Sequence, residues 1–315
     1  MLALVLAATA GAQSSAPAPA NANAGQKPEL LWQKLESTIK DTDLRVEGVL
    51  GVGVLDLTDG KTFFYNADEI FPTASTIKIA VLAELYRQNQ QAESGGRGAR
   101  LGDLYTVRRE DLVPDSSIMG GLTPGVTRVT NRDLATMVVA VSDNSATNVL
   151  IGRVGMENVN AMLDSLGLHK TRLRRDMMDL AAAQAGRENV ATPRELTLLL
   201  EAIYRGKLLN KAMTDDLLAM LSTNKDSPIR KALPDDVRAA DKPGELEGVR
   251  NDCGIIYATN RPFALCVMAT YVQREKDAEA AIATIARAAW EMFERLGRAS
   301  DYGRVISPGN SSAPK

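Results

Sequence analysis

Three short segments carry side chains able to perform acyl transfer: Ser75-Thr76-Ile77-Lys78, Ser142-Asp143-Asn144 and Lys242-Pro243-Gly244. A serine hydroxyl is a weak nucleophile at neutral pH and needs an adjacent base or a polarising cation. Ile77, Ile79, Leu82 and Leu85 predict a helix from Ser75 to Tyr86, which sets Lys78 one turn from Ser75 on the same face. A lysine placed there accepts the serine proton if burial or nearby positive charge keeps part of it neutral. The plainer alternative is a helix start capped by Thr73 or Ser75, with Lys78 at the surface. A lone SxxK is weak, so the weight rests on the combination.

Ser142-Asp143-Asn144 follows Asp133 to Val141, where Leu134, Met137, Val138 and Val141 mark an apolar helical face. Read alone, Lys242-Pro243-Gly244 is only a turn signal. Taken in order, the three segments resemble the penicillin-recognising serine enzymes, most closely the class A beta-lactamases, whose signature is SxxK, SDN and a lysine–glycine element on a strand. The resemblance runs from about Leu30 to Leu296.

The resemblance implies a role for each position. Ser75 would be the nucleophile and Lys78 its base, and Ser142 would relay a proton to the departing ring nitrogen. Asn144 would hold the substrate amide, and Lys242 would bind the substrate carboxylate and polarise Ser142. Gly244 would let the strand approach, and the backbone N–H groups of Ser75 and Glu245 would form an oxyanion hole. Asp143 reads as a structural acceptor. The implied partner is a small beta-lactam or a peptidoglycan-like acyl donor, with no cofactor, no metal and no nucleic acid.

Two departures bear on function. Pro243 stands where the family has a hydroxyl residue, so one anchor for the substrate carboxylate is missing; Arg250 either replaces it or forms a salt bridge. Between Thr171 and Pro193, where the family has an omega loop, the alignment puts Arg175 at its arginine, Met177 at its water-activating glutamate and Ala181 at its asparagine. Neither methionine nor alanine takes a proton from water. Asp176, Asp179 and Glu188 are the carboxylates left as candidate deacylation bases. The expectation is a serine hydrolase acylated at Ser75 with altered or slow deacylation. The alternatives are a penicillin-binding peptidase or esterase of the same fold, and a non-catalytic binding module.

The positioning elements suit an α/β (α+β) fold, an antiparallel sheet flanked by helices plus an all-helical half. Helical periodicity at Pro28 to Ile39 precedes a strand at Gly48 to Leu57, an Asp59-Gly60 turn and a second strand through Tyr65. Cys253 to Thr259 and Phe263 to Tyr271 predict two more strands, followed by a helix over Asp277 to Leu296. Met156 to Leu166 and Pro193 to Tyr204 predict helices in between. One catalytic domain is expected over residues 28–300, its α/β half at about 28–70 and 222–300 and its helical half at about 71–221. Residues 1–12 read as a signal-peptide remnant, 13–27 as a flexible linker and 301–315 as a tail. A periplasmic or secreted protein with no stable membrane span follows.

The chain has 315 residues, 37 Lys and Arg against 39 Asp and Glu, and a formal charge of −2, which gives no basic footprint for nucleic acid. Its single histidine, His169, disfavours a histidine triad or an HExxH metal site. Cys253 and Cys266 are either bridged across a hairpin or two buried thiols.

Overall fold

The computed structural model describes residues 26–300 and 302–305. The expected signal-peptide remnant, nearly all of the linker and most of the tail lie outside the described residues.

Helix α1 (Gln26–Asp43) leads into the hairpin β1 (Val49–Asp56) and β2 (Thr62–Tyr65). Next come β3 (Phe71–Pro72), a 3-10 turn over Ala74–Ile77 and α2 (Lys78–Glu93). The middle of the chain holds β4 (Leu104–Thr106), β5 (Arg128–Thr130), α3 (Asn131–Ala140), α4 (Asn144–Val154), α5 (Met156–Ser165), α6 (Leu180–Gln184), β6 (Val190–Ala191), α7 (Pro193–Tyr204), α8 (Lys211–Leu221) and α9 (Pro228–Ala232). Strands β7 (Ala239–Leu246), β8 (Val249–Ile256) and β9 (Phe263–Thr270) precede α10 (Glu275–Arg298).

The antiparallel sheet has the order β2-β1-β9-β8-β7, so the first and last parts of the chain meet at the β1–β9 pair, as expected. The two-residue period of a strand sorts its side chains. Leu50, Val52 and Val54 pack into one core with Trp32 of α1 and Ile282 and Phe293 of α10. On the opposite face Gly51 and Gly53 leave room for α7: a Cβ at Gly51 would lie 2.7 Å from the Phe71 ring, and one at Gly53 2.3 Å from Thr197 Oγ1. Helix α10 keeps its apolar stripe, Ala278, Ile282, Ile285, Ala289 and Phe293, against the sheet.

The region expected to be all-helical also contains two small pairs, β3–β6 and β4–β5. Strands of two or three residues are too short to show a period, which is why the pattern missed them. The helix expected from Ser75 likewise starts differently, because Ala74–Ile77 is 3-10 and the α-helix begins at Lys78.

Cys253 and Cys266 face each other across β8 and β9 and form a disulfide inside the core. Replacing both with alanine is expected to lower the unfolding free energy by about 2–4 kcal/mol. Urea unfolding of the double variant against the oxidised wild type checks this.

Candidate active site

The nucleophile candidate sits where three elements converge. Ala74, immediately before Ser75, has φ 47°, and Ser142, at the turn between α3 and α4, has φ 57°. Left-handed backbone at non-glycine residues costs energy and persists only where the surroundings impose it. Behind Ser142, Asp143 caps α4 by accepting from the N–H of Ala146 at 3.0 Å. Its other oxygen accepts from the N–H groups of Ile118 and Met119 at 3.1 and 2.9 Å. Asp143 therefore fixes the turn and takes no place in the polar cluster facing Ser75.

That cluster is centred on Ser142. Its Oγ donates to Ser75 Oγ at 2.9 Å and accepts from Lys78 Nζ at 3.1 Å and Lys242 Nζ at 3.0 Å. The hydroxyl thus uses its one donor and both lone pairs. Lys78 also donates to Ser142 O at 2.6 Å and to Asn144 Oδ1 at 2.9 Å, and Lys242 donates to Pro243 O at 3.0 Å. Asn144, Lys78, Ser142, Lys242 and Ser75 are brought together, and Lys78 reaches Ser75 through Ser142.

Both lysines are fully buried. Burial, reinforced by the charge of Lys242, drives Lys78 well below the ordinary lysine range, and Asp143 only partly opposes it. Burial and then the charge of Lys225 bring Lys242 down to about 8. Asp241 and Asp252 work the other way on Lys242, and Asp252 is itself pushed up to about 8 by burial and by Asp241. Loss of one proton from Lys78 lets the chain of donors reverse, so that Ser75 donates to Ser142 and Ser142 to Lys78.

Gly244 lies hard against the Thr73–Thr76 segment. A Cβ there would stand 2.8 Å from Thr73 O, 2.9 Å from Ser75 N and 3.0 Å from Thr76 N. The pair Leu246–Val249 closes the turn at Glu247-Gly248, and hydrogen-bonded pairs alternate from it. The N–H of Glu245 and the ring nitrogen of Pro243 consequently face the open edge of β7, where a missing donor breaks no ladder bond. Gly244→Ala is expected to push β7 from Ser75 and slow acylation about 10²-fold or more. Stopped-flow acylation kinetics check this.

The cavity at Ser75, about 670 Å³, is also lined by Ser142, Asn144, Lys242, Pro243, Glu245, Lys225, Arg175, Asn189, Met177, Met178, Leu180 and Leu246. Its loop wall, residues 171–192, is tied at the neck. Asn189 Oδ1 accepts from the N–H groups of Arg174 and Arg175, Arg175 pairs with Glu188 at 2.7 Å, and β6 pairs with β3. Asn148 of α4 clamps Met177, accepting from its N–H at 2.7 Å and donating to its carbonyl at 3.0 Å.

A model of the beta-lactamase enzyme family matches residues 33–293. The chain belongs to the beta-lactamase enzyme family. It is similar to the carbapenem-hydrolyzing beta-lactamase KPC of Klebsiella oxytoca, 32% identical over 256 residues, 78% of this chain and 84% of that protein. The beta-lactamase structure from Sphaerobacter thermophilus superposes with a TM-score of 0.74 at 30% identity, covering 82% of this chain and 97% of that one. An ancestral class A beta-lactamase gives 0.72 at 31% identity, with 84% and 100% covered. The assignment is class-A-like.

Within this beta-lactamase-family site, four of the residues singled out in the sequence stand elsewhere. Arg250 is turned away from the cavity: its guanidinium pairs with Glu275 and, at 3.2 Å, Glu279 of α10, so it salt-bridges and does not replace the lost hydroxyl. Glu188 is consumed by Arg175. Asp179 caps α6 through the N–H of Ala182 at 2.9 Å. Asp176 opens onto a neighbouring depression with Tyr105 and Arg108, and is held above the ordinary carboxylate range by desolvation and by Asp179. Two residues went unnoticed. Asn148 lies four positions after Asn144, on the same helical face, a spacing that signals it; Lys225 carries no local signal.

Proposed function

We propose that this chain is a serine acyl-transfer enzyme that opens a beta-lactam or a related amide or ester on Ser75 and releases the acyl group slowly. The observation that carries the reading is the pairing of a poised Ser75–Ser142–Lys78–Lys242 cluster with a thioether, Met177, on the loop wall. Neutral Lys78 takes the Ser75 proton through Ser142, and Ser75 Oγ attacks the carbonyl. The N–H groups of Ser75 and Glu245 receive the oxyanion. Ser142, polarised by Lys242, then hands the proton to the departing nitrogen. Asn144 holds the substrate amide and Lys242 its carboxylate.

Hydrolysis of the ester needs a second proton acceptor beside the attacking water, and a thioether is none. The same observation favours a penicillin-binding peptidase of the cell wall as the second reading. No helix among the described residues is long and apolar enough to cross a membrane. A disulfide in the core supports a periplasmic or secreted location.

Gel detection of a fluorescent penicillin on wild type and Ser75→Ala tests the reading. Label on the wild type that is absent from the variant is expected; label on both, or on neither, would overturn it. The acylation rate should rise with pH as Lys78 loses its proton. It should fall again near about 8, where Lys242 loses the charge that holds the carboxylate and polarises Ser142. A pH–rate profile of acylation checks both limbs.

A further inference from the structure

We infer that a second cavity, which shares part of its wall with the cavity at Ser75, binds a small organic cation, a primary ammonium on an aliphatic stem. The inference does not depend on the reading of Ser75 as a nucleophile.

The second cavity holds about 670 Å³, room for a small ligand. Met177 and Met178 line it as they line the cavity at Ser75, so a ligand here touches the loop wall. Val113, Val149 and the ring of Tyr105 add surface for an aliphatic stem. Gly152, inside α4, completes this side of the lining. A glycine within a helix costs about 1 kcal/mol against alanine. Neither conformation nor packing calls for one at this position, since its φ is not left-handed and a Cβ there would meet nothing within 4 Å. What the absent side chain leaves is space in the cavity.

Charge selects the occupant. Arg108 pairs with Asp111 at 3.0 Å and Glu110 at 3.4 Å, and Arg153 pairs with Asp103 at 3.6 Å, so both cations of the lining are engaged. The Asp176 carboxylate also lines the cavity and has no hydrogen-bond or ion-pair partner among the described residues. Its neighbour Asp179 uses one oxygen to cap α6. Desolvation and the charge of Asp179 hold Asp176 above the ordinary carboxylate range, and a bound cation relieves the repulsion. No group of three or more His, Cys, Asp or Glu among the described residues could hold a metal ion. The cation is therefore organic, and an ammonium brings three donors to a carboxylate that has none.

The test is NMR of the full chain with isotope-labelled methionine methyls, titrated with n-pentylamine, n-pentanol and pentanoate. The Met177 and Met178 signals, assigned with Met177→Leu and Met178→Leu, should move with pentylamine, and that of Met292, in the core against the sheet, should not. Pentylamine should bind about five- to tenfold tighter than pentanol, the effect of one charge-assisted hydrogen bond at a partly exposed carboxylate. Pentanoate should not bind. Asp176→Asn, which keeps the shape, should remove the preference for the amine. Gly152→Leu, which fills the cavity, should remove binding of amine and alcohol alike. Neither residue lines the cavity at Ser75, so a shift that survives both variants would place the amine there and overturn the inference. Equal affinity for amine and alcohol on the wild type, or no shift with either, would also overturn it. A tighter response to Nα-acetyl-lysine amide than to pentylamine assigns the ammonium to a peptide side chain, and a weaker one to a free amine. The titration uses no acyl donor, so its failure and a failure of penicillin labelling at Ser75 are told apart.

Discussion

Met177→Glu is expected to speed release of the acyl group by about 10²–10⁴-fold, the usual contribution of a general base. The backbone of residue 177 is already held at both its N–H and its carbonyl by Asn148, so the substitution changes the side chain without moving the loop. Met177 lines the cavity at Ser75, and glutamate is unbranched and of similar reach. A carboxylate in this mostly buried position has its pKa raised, which brings it toward the range of an effective base. The substitution also introduces a polar group at a position only 7% exposed, at an expected cost of about 1–3 kcal/mol in stability. Decay of the adduct after removal of free penicillin is the measurement. A decay rate equal to that of the wild type, in a folded variant, would show that residue 177 is not where water is activated.

Lys78→Met is expected to slow acylation by about 10²–10⁴-fold while the chain still folds. The fully buried lysine has three acceptors, Ser142 O, Ser142 Oγ and Asn144 Oδ1, and its ammonium is disfavoured by burial and by Lys242. Methionine keeps the apolar stem packed and removes the basic nitrogen that touches both Ser142 and Asn144. Because loss of packing alone would lower the melting temperature without changing the pH profile, the two readouts separate the roles. Acylation that loses its rising limb with pH assigns the proton acceptor to Lys78; an unchanged limb assigns it elsewhere.

The parts legible in the sequence are those with a period or a tight local motif. The strand over Val49–Asp56, the helix over Pro193–Tyr204 and the amphipathic Glu275–Arg298 announce themselves through alternation or an apolar stripe. The Ser75 and Ser142 segments are readable because each motif is three or four residues long. Which side chains of the loop reach the cavity is decided by the partners that the folded loop brings to them. Glu188 looks free in the sequence, yet it is claimed by Arg175, thirteen residues before it, and Asp179 by the first turn of a five-residue helix. Arg250 is captured by Glu275 and Glu279, whose contact with β8 depends on how α10 crosses the sheet. Two-residue strands such as Phe71–Pro72 exist only because partners from distant segments meet them.

The central claim, fast acylation of Ser75 with slow release, is tested most directly by intact-mass spectrometry of the wild type mixed with phenylacetamido penicillin and followed after the free compound is removed. A stoichiometric adduct on Ser75 that persists while little product accumulates is the expected result. Rapid formation of many equivalents of opened penicillin with no accumulated adduct would contradict it, since another group would then have to activate water at the loop wall.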